Sequence, residues 1–297
     1  MTTPHRLSRR DFLKTVGGGV AAAILTQFPT PAYASEIEAA PGWGLLIDVT
    51  RCVGCNACAR ACKDSNGLPP ASSPPQALDS DTYTFVDDRQ VTAADGQVLK
   101  RYVKRQCMHC LNAACVSACP AAAMHKTSAG PVVYQPELCL GCRYCQIACP
   151  FGVPRFEWDN GTTPVISKCW LCYNRLQDGK QPACAEACPS GALRFGRRED
   201  LLAQAHAQIV SNPGRYLDHV YGETEVGGTS MLYLSDVSFE QLGLPANLPQ
   251  TAPPQETEKI MSALPYVIAG VTCLMTGTAA YTHRRPATSV HTDGQEK

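Results

Sequence analysis

Apolar positions along this chain fall mostly into short runs parted by polar, Gly- or Pro-rich stretches, the pattern of brief strands joined by loops. Gly44 to Asp48, Pro131 to Tyr134, Ala192 to Phe195 and Met231 to Leu234 read as such strands. A hairpin is expected around Asp95-Gly96, and Leu68 to Ala77 reads as a Pro/Ser-rich loop. Residues 199–211 read as a helix. Longer apolar stretches stand near both ends, Val16 to Leu25 and Ser262 to Thr282. Leu244 to Glu256 is rich in Pro, Gln and Thr and reads as the linker into the second of these. The pattern predicts a loop-rich α+β fold.

Sixteen of the seventeen cysteines sharpen that picture, because they form four quartets. These are Cys52, Cys55, Cys58 and Cys62; Cys107, Cys110, Cys115 and Cys119; Cys139, Cys142, Cys145 and Cys149; and Cys169, Cys172, Cys184 and Cys188. The third has the spacing of the bacterial ferredoxin run and ends in Pro150, while the second and fourth widen one gap and also close on proline. Cys62 is followed by Lys63 instead. The last two cysteines of each quartet are four apart, so they share one face of a helical turn. Proline after the fourth cysteine stops that helix. Small residues such as Gly54, Ala57, Ala114 and Gly141 let backbone approach a cluster and aim N–H groups at sulfur. Thiolate sets at this spacing suit 4Fe–4S clusters, and sixteen ligands make four.

Disulfides and zinc compete with this reading. A disulfide framework has no reason to repeat one quartet four times, and C-x2-C pairs are awkward to bridge. Zinc usually takes two C-x2-C pairs per site, not close triplets with a fourth. A three-iron site would need a replaced ligand, and no quartet position is substituted. Strand, quartet, turn and strand recur twice between about Gly42 and Gly196. Quartets two and three, close in sequence, should pair as one ferredoxin-like unit, leaving one and four to pair across it. Formal net charge is zero and the basic residues are scattered, which argues against nucleic acid as a partner. With few aromatics, the fold should lean on metal sites more than on a large apolar core. Arg51, Lys63, Lys104, Arg105, Arg143, Lys168 and Arg175 lie near ligands, where a charge would raise cluster potentials, but each reads first as an ordinary solvated residue.

The ends suggest export and anchoring. Arg9-Arg10, the apolar run and Ala32-Tyr33-Ala34 compose a twin-arginine (Tat) signal with a small-residue cleavage site. Such a route carries folded proteins, which suits clusters built on reduced thiols. Ser262 to Thr282 is uncharged and would span roughly 30 Å as a helix, with Tyr266 and Tyr281 near its ends. His283-Arg284-Arg285 places the C-terminus on the cytoplasmic side and the cysteine domain outside. Gly270, Gly277 and their small neighbours suggest packing on partner helices. Pro265 keeps a buried soluble helix open as the rival, and Cys273 reads as a packing residue. The expected domains are a signal peptide over 1–34, the cluster domain over 35–200, a cap and linker over 201–257, an anchor over 258–285 and a tail over 286–297.

Over residues 42–200 the four quartets, with the wider gaps in the second and fourth, resemble the four-cluster iron–sulfur subunits of molybdopterin oxidoreductases and some NiFe-hydrogenases. The tail from Gly222 to Pro245 is similar too. The signal and C-terminal helix together resemble the subunit type of periplasm-facing, membrane-bound hydrogenase 2. Formate dehydrogenase beta subunits, and the tetrathionate, polysulfide and dimethyl sulfoxide reductase relatives, are the alternative. The resemblance implies a pair of ferredoxin-like dicluster modules with one C-terminal transmembrane helix. It also implies crossed ligand sets: Cys52, Cys55 and Cys58 with Cys188; Cys169, Cys172 and Cys184 with Cys62; Cys107, Cys110 and Cys115 with Cys149; and Cys139, Cys142 and Cys145 with Cys119. The implied role is electron transfer between a periplasmic catalytic subunit and an integral membrane, quinone-interacting partner at the bacterial inner membrane. No catalytic constellation stands out in the chain itself.

Overall fold

The computed structural model describes residues 42–93, 96–158 and 165–283. In chain order its elements are β1 (Trp43–Asp48), α1 (Ala57–Asn66), β2 (Phe85–Thr92), β3 (Val98–Arg105), α2 (Ala114–Ser117), β4 (Met124–Lys126), β5 (Val132–Tyr134), α3 (Tyr144–Ala148), β6 (Arg155–Phe156), β7 (Ile166–Ser167), α4 (Tyr173–Gln177), α5 (Ala183–Glu186), β8 (Leu193–Arg197), α6 (Arg198–Ser211), β9 (Met231–Leu234) and α7 (Pro253–His283). The four expected strands and the helix over 199–211 are present, with ends differing by a residue or two. The expected export signal and cleavage site, the hairpin residue Asp95, and Arg284 and Arg285 lie outside the described residues.

β1 is central in a three-stranded sheet, antiparallel to β8 and parallel to β9. Successive side chains of a strand point to opposite faces. Leu45 and Ile47 therefore join Met231 and Tyr233 in the core on the cysteine side, while Leu46 packs with Leu232, Leu234, Leu201 and Ala205 beneath α6. Burial on both faces is why this strand reads as a continuous apolar run. A Cβ on Gly44 would stand 2.5 Å from the Ser230 carbonyl oxygen, so the approach of β9 requires glycine there. The sheet also supplies a larger apolar core than composition suggested.

Each quartet closes on a helical turn. Pro120, Pro150 and Pro189 cut theirs short, giving α2 (4 residues), α3 (5 residues) and α5 (4 residues). With Lys63 in place of proline, α1 runs for 10 residues to a left-handed Gly67 cap. Lys63 is buried and its Nζ donates to the Asp81 carbonyl at 2.6 Å. Helix α1 packs against α5, and α2 against α3, so quartets one and four share one module and quartets two and three the other. The first, the sheet module, lies under β8–β1–β9, and the long β2–β3 hairpin joins its core. The second, the hairpin module, is built round the short antiparallel pair β4–β5.

The segment expected as a linker is packed. Leu244 and Ala252 are buried, and the amides of Val226 and Gly227 donate to the carbonyls of Pro249 and Gln250 at 2.7 and 2.8 Å. Its end is already helical, because α7 starts at Pro253. Helix α7 is long and apolar enough to cross a membrane, and none of its apolar stretch is buried within the chain. It runs on through Pro265. Thr272, Thr276, Thr278 and Thr282 return their hydroxyls to carbonyls four residues back, so these polar groups are satisfied within the helix. Cys273 is exposed on α7, apart from the four quartets.

Candidate metal centres

Two cavities show how the sulfurs gather. One is lined by Cys52, Cys55, Cys58 and Cys188, with Ile47, Lys104 and Leu193 among its walls. The other is lined by Cys119, Cys139, Cys142 and Cys145, with Met124, Tyr134 and Ile166. Each takes three cysteines from one quartet and the last cysteine of another. The remaining eight form two similar neighbourhoods. Cys62 lies in the field of Cys184 and Cys172, and Cys169 in that of Cys62 and Cys184. Cys110 and Cys115 both feel Cys107 and Cys149. Among the described residues no group closes tightly enough on one point to hold a single metal ion.

We label these sets A (Cys52, Cys55, Cys58, Cys188), B (Cys62, Cys169, Cys172, Cys184), C (Cys107, Cys110, Cys115, Cys149) and D (Cys119, Cys139, Cys142, Cys145). Interactions across sets run Cys58 with Cys184, Cys169 with Cys107, and Cys115 with Cys145. That series of neighbours orders the sets A–B–C–D. Cys55 in A and Cys142 in D are exposed, whereas B and C have no exposed cysteine. The two ends of the series reach the surface.

Local backbone explains the gathering. The residue just before the second cysteine is left-handed in all four quartets: Gly54 (φ 71°), His109 (φ 48°), Gly141 (φ 69°) and Leu171 (φ 53°). Only glycine adopts this region freely, and other residues give up about 1–2 kcal/mol there. The kink turns amides onto sulfur: Gly141 donates to Cys139 Sγ at 3.4 Å and Leu171 to Cys169 Sγ at 3.3 Å. Gly54 and Gly141 signal the conformation in the sequence; His109 and Leu171 conceal it. The second quartet's loop is also tied to the tail, since Ser230 N–H lies 3.1 Å from Met108 O and 3.0 Å from His109 O.

Burial dominates the electrostatics. It pushes the Cys58 thiol up to about 11 and the Cys62 thiol to about 12, with Lys104 opposing in both cases. Burial and neighbouring Cys107 push Cys115 to about 12. Sulfurs this costly to ionise suit a cationic iron core that supplies the missing charge. Unpartnered donors agree with such a core. His109 accepts from the Val132 amide at Nδ1 (3.0 Å), which leaves its proton on Nε2, a buried atom without a partner. Burial, then Lys168, Lys126 and Lys104, hold that ring well below the usual histidine range, so it is neutral. Trp170 Nε1, between Cys169 and Cys172, is likewise buried without a partner. Cluster sulfides are the acceptors such N–H groups need.

The lysines depart most from expectation. Lys104 and Lys168 are 2% and 1% exposed, not solvated. Lys63 is buried too, Arg105 pairs with Asp87 at 3.1 Å, and Arg175 pairs with Glu186. Arg51 and Arg143 are exposed as expected.

Two family models match, both described as 4Fe–4S dicluster domains, over residues 51–123 and 98–198. A protein of Nitratidesulfovibrio vulgaris is 41% identical over 293 residues, 94% of this chain and 78% of its own length. The hydrogenase-2 operon protein HybA of Escherichia coli O157:H7 is 33% identical over 286 residues, 80% of this chain and 84% of its own length. The B subunit of anaerobic dimethyl sulfoxide reductase from Escherichia coli K12 is 40% identical over 169 residues, 57% of this chain and 80% of its own length. Both the repeated cysteine spacing and these relatives place the chain among the four-cluster iron–sulfur electron-transfer subunits of oxidoreductase complexes.

Proposed function

We propose that sets A, B, C and D are the ligand sets of the four 4Fe–4S clusters, and that electrons pass along them in that order or its reverse. Bound there, the clusters supply the one-electron carriers. The chain's own part is to fix their spacing: α1 contributes ligands to A and B, and α2 with the turn after it contributes to C and D. The ordered series with an exposed cysteine at each end carries this reading, since a relay needs two points of entry and a covered middle.

In this reading the chain is exported by its twin-arginine signal and held to the inner membrane by α7, with the cluster domain in the periplasm. Its domains divide as the sequence suggests, at 1–34, 35–200, 201–257, 258–285 and 286–297. The partners are a NiFe-hydrogenase catalytic subunit and an integral membrane, quinone-reactive subunit. Similarity to HybA over 80% of the chain favours the hydrogenase. The second reading, a molybdopterin oxidoreductase, draws on the 40% identity to the reductase subunit over 57% of the chain.

Purification of the full chain from detergent-solubilised membranes tests the partner: hydrogenase subunits should co-purify, and a molybdopterin subunit instead would establish the second reading. A stop codon after Glu256 should release a cluster-loaded domain into the periplasm and uncouple quinone reduction while dye-linked activity survives. A truncated chain still bound to membranes would defeat the anchor. Exchange of Arg9 and Arg10 for lysine should leave the chain in the cytoplasm.

A further inference from the structure

A buried ammonium needs both hydrogen-bond acceptors and a counter-charge. Lys104 Nζ donates to Thr84 Oγ1 and Gln106 Oε1, each at 2.9 Å, and both partners are neutral. The support is itself fixed. Gln106 Nε2 donates to Tyr233 Oη at 3.1 Å, Tyr233 Oη donates to the Lys104 carbonyl at 2.8 Å, and Thr84 Oγ1 donates to the Arg105 carbonyl at 2.8 Å. Lys168 Nζ donates to the carbonyls of Val132 and Cys169, and lies 3.9 Å from Cys107 Sγ. Neither lysine forms an ion pair with a carboxylate among the described residues.

The counter-charge is therefore sulfur. Lys104 lines the cavity of set A, and its charge also bears on Cys62, Cys169, Cys172 and Cys184, which is all of set B. Lys168 stands against Cys169 of set B and against Cys107 and Cys115 of set C. Around set D the picture differs: Arg143 is exposed and stacks on Phe156 and Trp158, 5.1 and 4.8 Å from their centroids.

We propose that Lys104 and Lys168 are fixed positive charges at the A–B and B–C junctions, and that they raise the reduction potentials of the clusters on either side. A cation in a dry interior favours the more negative, reduced cluster far more than a surface cation does. Cluster B lies beside both lysines and D beside neither, so the two lysines favour the electron in the middle of the series over the D end. This role for the lysines rests on the four ligand sets proposed above.

The test uses the full chain, purified anaerobically in its membrane complex, as Lys104→Met and Lys168→Met and as the charge-keeping Lys→Arg variants. Iron analysis comes first, then redox titration followed by EPR. Lys104→Met should lower two of the four midpoints by a tenfold change in reduction equilibrium or more, about 59 mV per decade for one electron. Lys168→Met should also lower two, one of them shared with Lys104→Met, and one signal should move in neither. The arginine variants should keep both iron and midpoints. Fully loaded Lys104→Met protein with all four midpoints in place, or with all four displaced alike, overturns the proposal. So does a Lys104→Arg variant displaced as far as the methionine. If Lys104→Met fails to load, loading of Lys104→Arg with parental midpoints supports the need for charge, and its failure overturns it. Parental protein with well under about sixteen irons per chain counts against the ligand sets and not against the lysines.

Discussion

The two modules carry the same ligand repeat in different housings. The sheet module wraps sets A and B in β8–β1–β9, the β2–β3 hairpin and the tail, with Leu45, Ile47, Met231 and Tyr233 in one shared core. The hairpin module has only β4–β5 and a small core centred on Met124, Val132 and Tyr134. Its outer rim is apolar and bare: Leu140 is 72% exposed, Ile147 81%, and Tyr144 and Leu138 are exposed as well. On the sheet module the corresponding loop exposes Val53. The same cysteine spacing thus works in a well-built core and in a meagre one. Where the core is meagre, iron is expected to contribute the larger share of order.

Iron removal should break this parity most visibly. Anaerobic chelation is expected to strip amide protection from residues 107–149 by roughly a thousandfold, while the β1, β8 and β9 amides keep most of theirs, as hydrogen exchange would record. Equal loss in both modules would mean that the sheet cannot stand without its clusters. Next in size is Leu46→Ala. Leu46 is fully buried under α6, so its loss should destabilise the sheet module by about 2–5 kcal/mol, seen as a lower denaturant midpoint with the signal of set D unchanged at low denaturant. Cys188→Ser reaches one set only. The signal of the cluster held with Cys52, Cys55 and Cys58 should change, and those of C and D should not; a change tracking Cys107 or Cys139 variants would refute the crossed pairing.

The finest contrast uses one repeat position in each module. Gly54 and Gly141 share the left-handed backbone, but a Cβ on Gly54 would stand 2.5 Å from the Tyr102 ring, whereas one on Gly141 meets nothing within 4 Å. Gly141→Ala should cost about 1–2 kcal/mol of backbone strain, and Gly54→Ala distinctly more, by thermal melting. Equal costs would mean that Tyr102 yields freely.

The ligand series is legible in the sequence because its information is local: a spacing of three and four residues specifies a loop and a turn regardless of surroundings. The strands are legible for the same reason, and Lys63 in place of proline marks the first quartet as the exception, though its consequence is a longer helix. Lys104 and Lys168 are not legible, and the expectation of solvated side chains fails for both. Their burial depends on Thr84 and Tyr233 for one, and on Val132 for the other, contacts made only after distant segments meet. The left-handed turns at His109 and Leu171 are hidden because neither residue favours that conformation alone. The segment from Leu244 to Ala252 is composed like a free linker, yet its backbone is bound to the turn at Val226 and Gly227.

The placement of β1 bears on how the protein comes to be made. This strand, near the start of the described residues, lies between β8 and β9, whose partners for Leu45 are Phe195 and Met231. During synthesis it must wait for most of the polypeptide to leave the ribosome before its sheet can close. In the proposed ligand sets Cys62 waits likewise for Cys169, Cys172 and Cys184, and Cys52 for Cys188. The strands of the hairpin module lie between Cys107 and Ser167, with β4 and β5 a short turn apart, though its first loop is still tied to Gly228 and Ser230 of the tail. In the proposed ligand sets, the last ligand of C and D to be made is Cys149, whereas A and B wait for Cys188. A closed β8–β1–β9 sheet therefore marks a polypeptide in which all sixteen quartet cysteines have already been made.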